Sequence, residues 1–283
     1  MFITRLLSGI GLLILSWLFV YLGGIPLAAV LLVLSVIAYF EMGRALKLFE
    51  KKQNAIMIWG YIAITGYYCV LAFTKNPQFL VMAAILGIIG FLCVYVFSFP
   101  KYEVSHITGA IYAFMYAPIM LSFMGLTRSL ENGFYLVWII YISAWGSDTL
   151  AYCVGMLFGK TIGNHKMTPK LSPKKSIEGA VGGILGAALL AWLYGHFIMG
   201  RVVTDIPNLE WMLAIIGACG GACAMIGDLA ASAVKRNTGI KDFGHCIPGH
   251  GGILDRFDSM IFTAPLTYFL VIIIFSVERL ING

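Results

Sequence analysis

Long apolar stretches separated by short polar interruptions dominate the chain. About nine can be drawn, at residues 6–22, 25–42, 57–73, 79–99, 106–125, 134–158, 177–199, 211–234 and 257–277. A helix that crosses a bilayer needs roughly 20 predominantly apolar residues, and each stretch is close to that length or beyond it. In lipid the backbone has to satisfy its own N–H and C=O groups, so such stretches are helical. A membrane β-barrel would instead show short segments of alternating polarity, and none is found. The pattern predicts an all-α, polytopic integral membrane protein with about nine transmembrane helices. Arg5 ahead of the first stretch resembles the start of a secretory signal. Its apolar core is long, however, and Tyr21-Leu22-Gly23-Gly24 offers no small-x-small cleavage site, so a retained helix is expected.

Composition agrees with a membrane solvent. The 283 residues are 60% hydrophobic and 11% charged, and mean hydropathy is +0.90. Soluble domains carry about 25% charged residues, so a water-soluble globule of this size would lack polar surface. Cys69, Cys93, Cys153, Cys219, Cys223 and Cys246 lie mostly inside apolar stretches, which argues against a disulfide framework. Lysine and arginine orient the chain. With a cytoplasmic N-terminus, only Lys75, Arg128, Arg201 and Arg279 of the 19 basic residues face outward, and the opposite orientation would invert that bias. The two most basic loops, after the sixth and eighth stretches, then share the cytoplasmic side. Arg44, Lys47, Lys51 and Lys52 in an earlier loop read as topology determinants and contacts to anionic lipid heads.

Ionisable residues divide the chain into a transmembrane scaffold at 1–133 and a transmembrane catalytic region at 134–283. The spanning stretches of the first part hold almost no ionisable residue beyond Glu41, near a helix end. In the second part Asp148 and Asp228 sit within apolar stretches, and Glu178, Asp255 and Asp258 near cytoplasmic helix ends. A carboxylate at the bilayer centre costs about 2.5–3.5 kcal/mol on insertion scales, so such residues line an interior or a wet cavity. Asp228, Ser232 and Lys235 fall at i, i+4 and i+7 on one helix face, and Asp255 and Asp258 at i and i+3. Like charges this close ask for a cation between them, and oxygen ligands near phosphate suit Mg²⁺. Ion pairs to Lys235, Arg236 or Arg256 account for the same residues equally well.

The loop from Lys235 to Gly252 adds an anion-binding character. Gly249, Gly251 and Gly252 let backbone N–H groups approach an anion closely, just ahead of a helix N-terminus that favours phosphate. Lys235, Arg236, Lys241 and Arg256 supply positive charge. Carboxylates beside an anion-cradling loop suit metal-assisted phosphoryl or nucleotidyl transfer. In the other basic loop, Gly159-Lys160-Thr161 is not a P-loop, because Val154 stands where its first glycine belongs. Pro173 restrains the approach to the next helix, Ser176 can cap it, and Lys174 and Lys175 lie near its positive end. That segment reads as a phosphate-binding arm or as a retention loop. His245, Cys246 and His250 lack the spacing of a zinc site.

Residues 232–258 resemble the signature of the phosphatidate cytidylyltransferases, also called CDP-diacylglycerol synthases. The matching positions are Ser232, Val234, Lys235, Arg236, Lys241, Asp242, Gly244, Ile247, Pro248, His250, Gly251, Gly252, Ile253, Asp255, Arg256, Phe257 and Asp258. Asp148-Thr149-Leu150-Ala151-Tyr152 and Ser172 to Gly179 also resemble family segments. The resemblance implies transfer of CMP from CTP to phosphatidate, giving CDP-diacylglycerol and pyrophosphate. It further implies Mg²⁺, with K⁺ beside it, on metal-binding Asp228 and Asp255 and with Asp258 as a further acidic residue. Lys235 and Arg256 complete the expected catalytic set. Asp148, Ser172, Lys174, Lys175, Glu178, Ser232, Arg236, Lys241, His250, Gly251 and Gly252 are the expected substrate contacts. Expected partners are CTP, phosphatidate and membrane lipids, with no nucleic acid, and a homodimer is implied. Expected placement is a bacterial-type inner or plasma membrane, with the active site and the N-terminus facing the cytoplasm.

Three other readings are separable. A CTP-dependent lipid kinase would transfer the γ-phosphate. A CDP-alcohol phosphatidyltransferase would need an Asp-Gly-x-x-Ala-Arg segment, which is not found. An ion-coupled transporter would show matching motifs in two halves, whereas the polar residues crowd into one.

Overall fold

A computed structural model describes residues 2–48, 55–74, 76–158, 165–247 and 251–282, without the side chains of 2–7, 158 and 278–282. The N-terminal helices are α1 (Phe2–Leu22), α2 (Gly24–Ala45), α3 (Ala55–Phe73) and α4 (Pro77–Phe97). Helices α5 (Val104–Phe114) and α6 (Met120–Ser129) join through a π turn at Met115–Ile119. Helices α7 (Gly133–Tyr141) and α8 (Ser147–Phe158) join in the same way at Ile142–Gly146. A hairpin of β1 (Lys166–Thr168) and β2 (Ser172–Ser176) leads into α9 (Ile177–Phe197), followed by α10 (Leu209–Thr238) and α11 (Leu254–Asn282).

All the apolar stretches read from the sequence fall on helix. Among the described residues, seven helices are long and apolar enough to cross a membrane. The stretches at 6–22 and 134–158 are helical but do not join that set. The chain is an all-α polytopic membrane protein in architecture. One local departure is the two-stranded antiparallel hairpin, with Lys166 opposite Ser176 and Thr168 opposite Ser172. Pro173 lacks an N–H and disfavours helix in the residue before it, so this segment pairs as strand up to the start of α9.

Helix ends follow from local chemistry. Asn76 caps α4 by accepting the Gln78 N–H at 2.9 Å, with Pro77 in the first helical position. Ser176 caps α9 by accepting the Gly179 N–H at 3.1 Å, as its position in the sequence suggested. The π turn at Met115–Ile119 holds Pro118, whose missing N–H the wider turn accommodates.

The chain divides into two compact units, Met1–Ser129 with Val234–Phe257 and Leu130–Ala233 with Asp258–Gly283. In the first, Tyr39, Tyr68, Phe91 and Phe114 are fully buried. Two hydroxyls inside that apolar interior, those of Ser35 and Tyr68, pair with each other. Tyr68 donates to the Pro118 carbonyl at 2.8 Å, which leaves Ser35 as donor to Tyr68 at 2.7 Å. In the second, Leu136, Ile139, Ala191, Leu213, Ile216 and Val271 form a buried cluster from α7, α9, α10 and α11. Val81, Ile85, Leu92 and Val96 on α4, and Val181, Leu185 and Leu189 on α9, remain exposed. Contiguous apolar faces of this kind are unusual on soluble monomers and suit contact with lipid tails.

Candidate functional site

The second unit contains a cavity of about 430 Å³, within the size range of small-molecule sites. Its polar lining is Ser147, Asp148, Lys174, Lys175, Ser176 and Asp228, and its apolar lining includes Tyr152, Met156 and Met225. Each polar group arrives by a local device. The π turn shifts helical register just before Ser147 and Asp148, as such bulges commonly do near sites. Strand β2 carries Lys174 and Lys175 to the cap of α9. Helix α10 presents Met225 and Asp228 from one face, three residues apart.

One ion pair lies in the cavity. Lys175 Nζ lies 2.7 Å from Asp228 Oδ2 and donates to the Met225 carbonyl at 3.3 Å. The Ser259 hydroxyl donates to Asp148 Oδ2 at 3.0 Å, and its N–H donates to Asp258 Oδ1 at 2.8 Å. Ser259 therefore ties the Asp148 carboxylate to that of buried Asp258. It escaped the sequence reading because a serine beside the signature carries no signal of its own. Glu178 and Ser172 fall outside the cavity lining among the described residues. Glu178 Oε1 sits 2.6 Å from His165 Nδ1 and also accepts the His165 N–H at 3.3 Å, closing the base of the hairpin. Ser232 lies half-buried one turn beyond Asp228 on α10.

The first unit holds the glycine-rich loop. Asp255 is its hub. One oxygen lies 2.9 Å from Lys235 Nζ, and the other accepts the N–H of Phe243 at 2.8 Å and of Gly252 at 3.0 Å. The ion-pair alternative thus describes Asp255 as it stands. Lys235 also packs over the ring of buried Phe243, 5.4 Å from its centroid. Gly251 has a φ of +87°, a left-handed conformation costly for residues with a Cβ, and it forms an isolated antiparallel bridge with Ile247. Arg236 and Lys241 are exposed and Arg256 half-buried. His250, with Pro248 and Gly249, lies outside the described residues.

Two residues from the scaffold region reach this loop. Glu41 of α2 accepts the N–H of Ile253 at 3.0 Å and of Leu254 at 2.9 Å. Arg44, one turn further, donates to the Phe243 carbonyl, a contact beyond the topology role read from its charge. Burial and the neighbouring Glu41 carboxyl push the Cys246 thiol above its ordinary range.

For a divalent cation the relevant donors are the carboxylates of the cavity. Among the described residues no group of three or more His, Cys, Asp or Glu side chains converges. Mg²⁺ usually takes one or two carboxylates, with phosphate oxygens and waters completing its shell. Asp148 and Asp228 beside Lys174 and Lys175 fit that requirement.

Comparison with known proteins shows the family. Residues 3–274 match the model of the cytidylyltransferase family. The phosphatidate cytidylyltransferase of Bacillus subtilis (strain 168) is 30% identical over 273 residues, covering 94% of this chain and 96% of that protein. That of Rickettsia bellii (strain RML369-C) is 33% identical over 223 residues, covering 78% of this chain and 92% of its own length. With a family match across nearly its whole length and relatives aligned along most of it, the chain belongs to the cytidylyltransferase family.

Proposed function

We propose that this protein transfers CMP from CTP to phosphatidate, making CDP-diacylglycerol and pyrophosphate at the cytoplasmic face of the membrane. The observation that carries the reading is the cavity lined by Asp148, Asp228, Lys174 and Lys175, in a chain similar along its length to phosphatidate cytidylyltransferases.

The chemistry needs little from a general base. A phosphatidate oxygen is already anionic; it forms a bond to the α-phosphorus of CTP as the bond to the pyrophosphate oxygen breaks. The barrier lies in bringing two anions together and in stabilising the leaving group, so positioning and charge neutralisation supply the acceleration. Lys174 and Lys175 hold triphosphate oxygens, and Lys175 exchanges its contact with Asp228 for phosphate. Asp148, oriented by Ser259, and Asp228 would hold Mg²⁺, which when bound offsets charge on the phosphates. Asp258 acts through Ser259. Arg236, Lys241 and Arg256 are further phosphate contacts in this reading, while Asp255 and Lys235 keep the glycine-rich loop in shape.

Purified protein in detergent, given phosphatidate and CTP labelled at the α-phosphorus, tests this. Label should enter the lipid extract and be lost with a chelator and in Asp228→Asn. Entry of γ-label instead would replace this reading with a CTP-dependent lipid kinase.

A further inference from the structure

Helix α11 begins where its sequence offers no cap. The residue before its first turn is Ile253, which has no side-chain acceptor. The first N–H groups of a helix lack intrahelical partners and are ordinarily satisfied by Ser, Thr, Asp or Asn at that position. Here the acceptor comes from α2. Glu41 is 2% exposed, and each carboxyl oxygen takes one of the Ile253 and Leu254 N–H groups. Space for it is left by two glycines. A Cβ on Gly244 would come within 2.1 Å of Glu41 Oε1, and one on Gly252 within 2.4 Å. Arg44 fixes the other end of the same loop through the Phe243 carbonyl, and Phe243 and Gly252 are the residues whose N–H groups hold Asp255.

We infer that Glu41 is a positioning residue: it caps α11 across the tertiary structure and, with Arg44, clamps the glycine-rich loop so that Lys235 and Asp255 are held in their working geometry. Apolar α2 thereby sets the conformation of a loop that touches phosphate. The clamp stands on geometry alone, whereas its part in catalysis rests on the cytidylyl-transfer reading.

Glu41→Gln separates the two. The amide keeps the volume but can accept with one end only, leaving an N–H facing an N–H. Hydrogen exchange by mass spectrometry should show amides within 251–257 exchanging about tenfold faster, tenfold corresponding to about 1.4 kcal/mol of local opening, with α3 and α4 unchanged. In the labelled-CTP assay, KM for CTP or for phosphatidate should rise about threefold or more, because the surviving molecules carry a displaced loop. A merely structural residue would lower the amount of active enzyme and leave both KM values at wild type, and that result overturns the positioning role. Wild-type exchange across 251–257 overturns the clamp itself. If Glu41→Gln does not accumulate as folded protein, Arg44→Gln, at an exposed position, carries the same two readouts with the same outcomes. Absence of transfer by the wild type refutes the cytidylyl reading and leaves the exchange comparison to decide the clamp.

Discussion

Asp255→Asn tests how much the ion pair beneath the glycine-rich loop contributes. The side chain is 5% exposed and Lys235 is 16% exposed, so neither charge has much water to fall back on. An asparagine retains one acceptor. Facing Phe243 and Gly252, it keeps both backbone N–H bonds and turns its NH₂ toward Lys235; facing Lys235, it abandons two N–H groups. Removing one partner of a buried pair costs about 3–5 kcal/mol. The residual exposure of Lys235 and its contact with the Phe243 ring place this case near the lower end, about 3 kcal/mol. Lys235→Met leaves Asp255 with its two N–H donors and should cost about 1–2 kcal/mol. In the double variant the two losses should fall short of additive by about 1 kcal/mol or more, since the residues are in direct contact. Equilibrium unfolding in mixed micelles, followed by helix content, gives all three values. An Asp255→Asn loss within about 0.5 kcal/mol of zero, or strict additivity, would refute the reasoning.

Further outcomes follow from the same geometry. Asp228→Asn and Lys175→Met should each change stability by no more than about 1 kcal/mol, because the pair is 31% and 21% exposed, while lowering label transfer about a hundredfold; unfolding midpoints and initial rates read both. Ser259→Ala removes the hydroxyl that donates to the Asp148 carboxylate, and should lower transfer about tenfold while CTP titration still reaches saturation. Gly244→Ala should release the loop by crowding Glu41, and limited proteolysis should cleave between 236 and 252 faster than in wild type. Cys246, with its thiol held protonated by burial and Glu41, should alkylate slowly at mildly alkaline pH. Glu41→Gln removes the adjacent carboxylate, lowers the thiol pKa and should speed alkylation at fixed pH, as mapped by mass spectrometry.

How much of the site could be read in advance depends on how local each device is. Asp228 with Lys235, and Asp255 with Asp258, lie on helices at the spacing read from the sequence. Ser176 caps α9 because a cap needs only the next few residues. Choice of partner was not legible. Asp255 could equally have met a cation, Arg236 or Lys235, and Asp228 is taken by Lys175 of the hairpin. Glu41 was passed over because its two donors lie 212 and 213 residues away, and no periodicity relates such positions.

The sequence by itself determined the membrane architecture and the helical stretches. Those follow from local physics: in lipid each segment has to satisfy its own backbone hydrogen bonds, and low charge leaves the bilayer as the only solvent for so much apolar surface. Only the tertiary structure decided which carboxylate meets which lysine, that Ser259 orients Asp148, and that α2 supplies the cap α11 lacks. These are contacts between groups far apart in the chain, selected by which helix faces pack together; the same side chains at the same spacing would support other pairings if the packing differed.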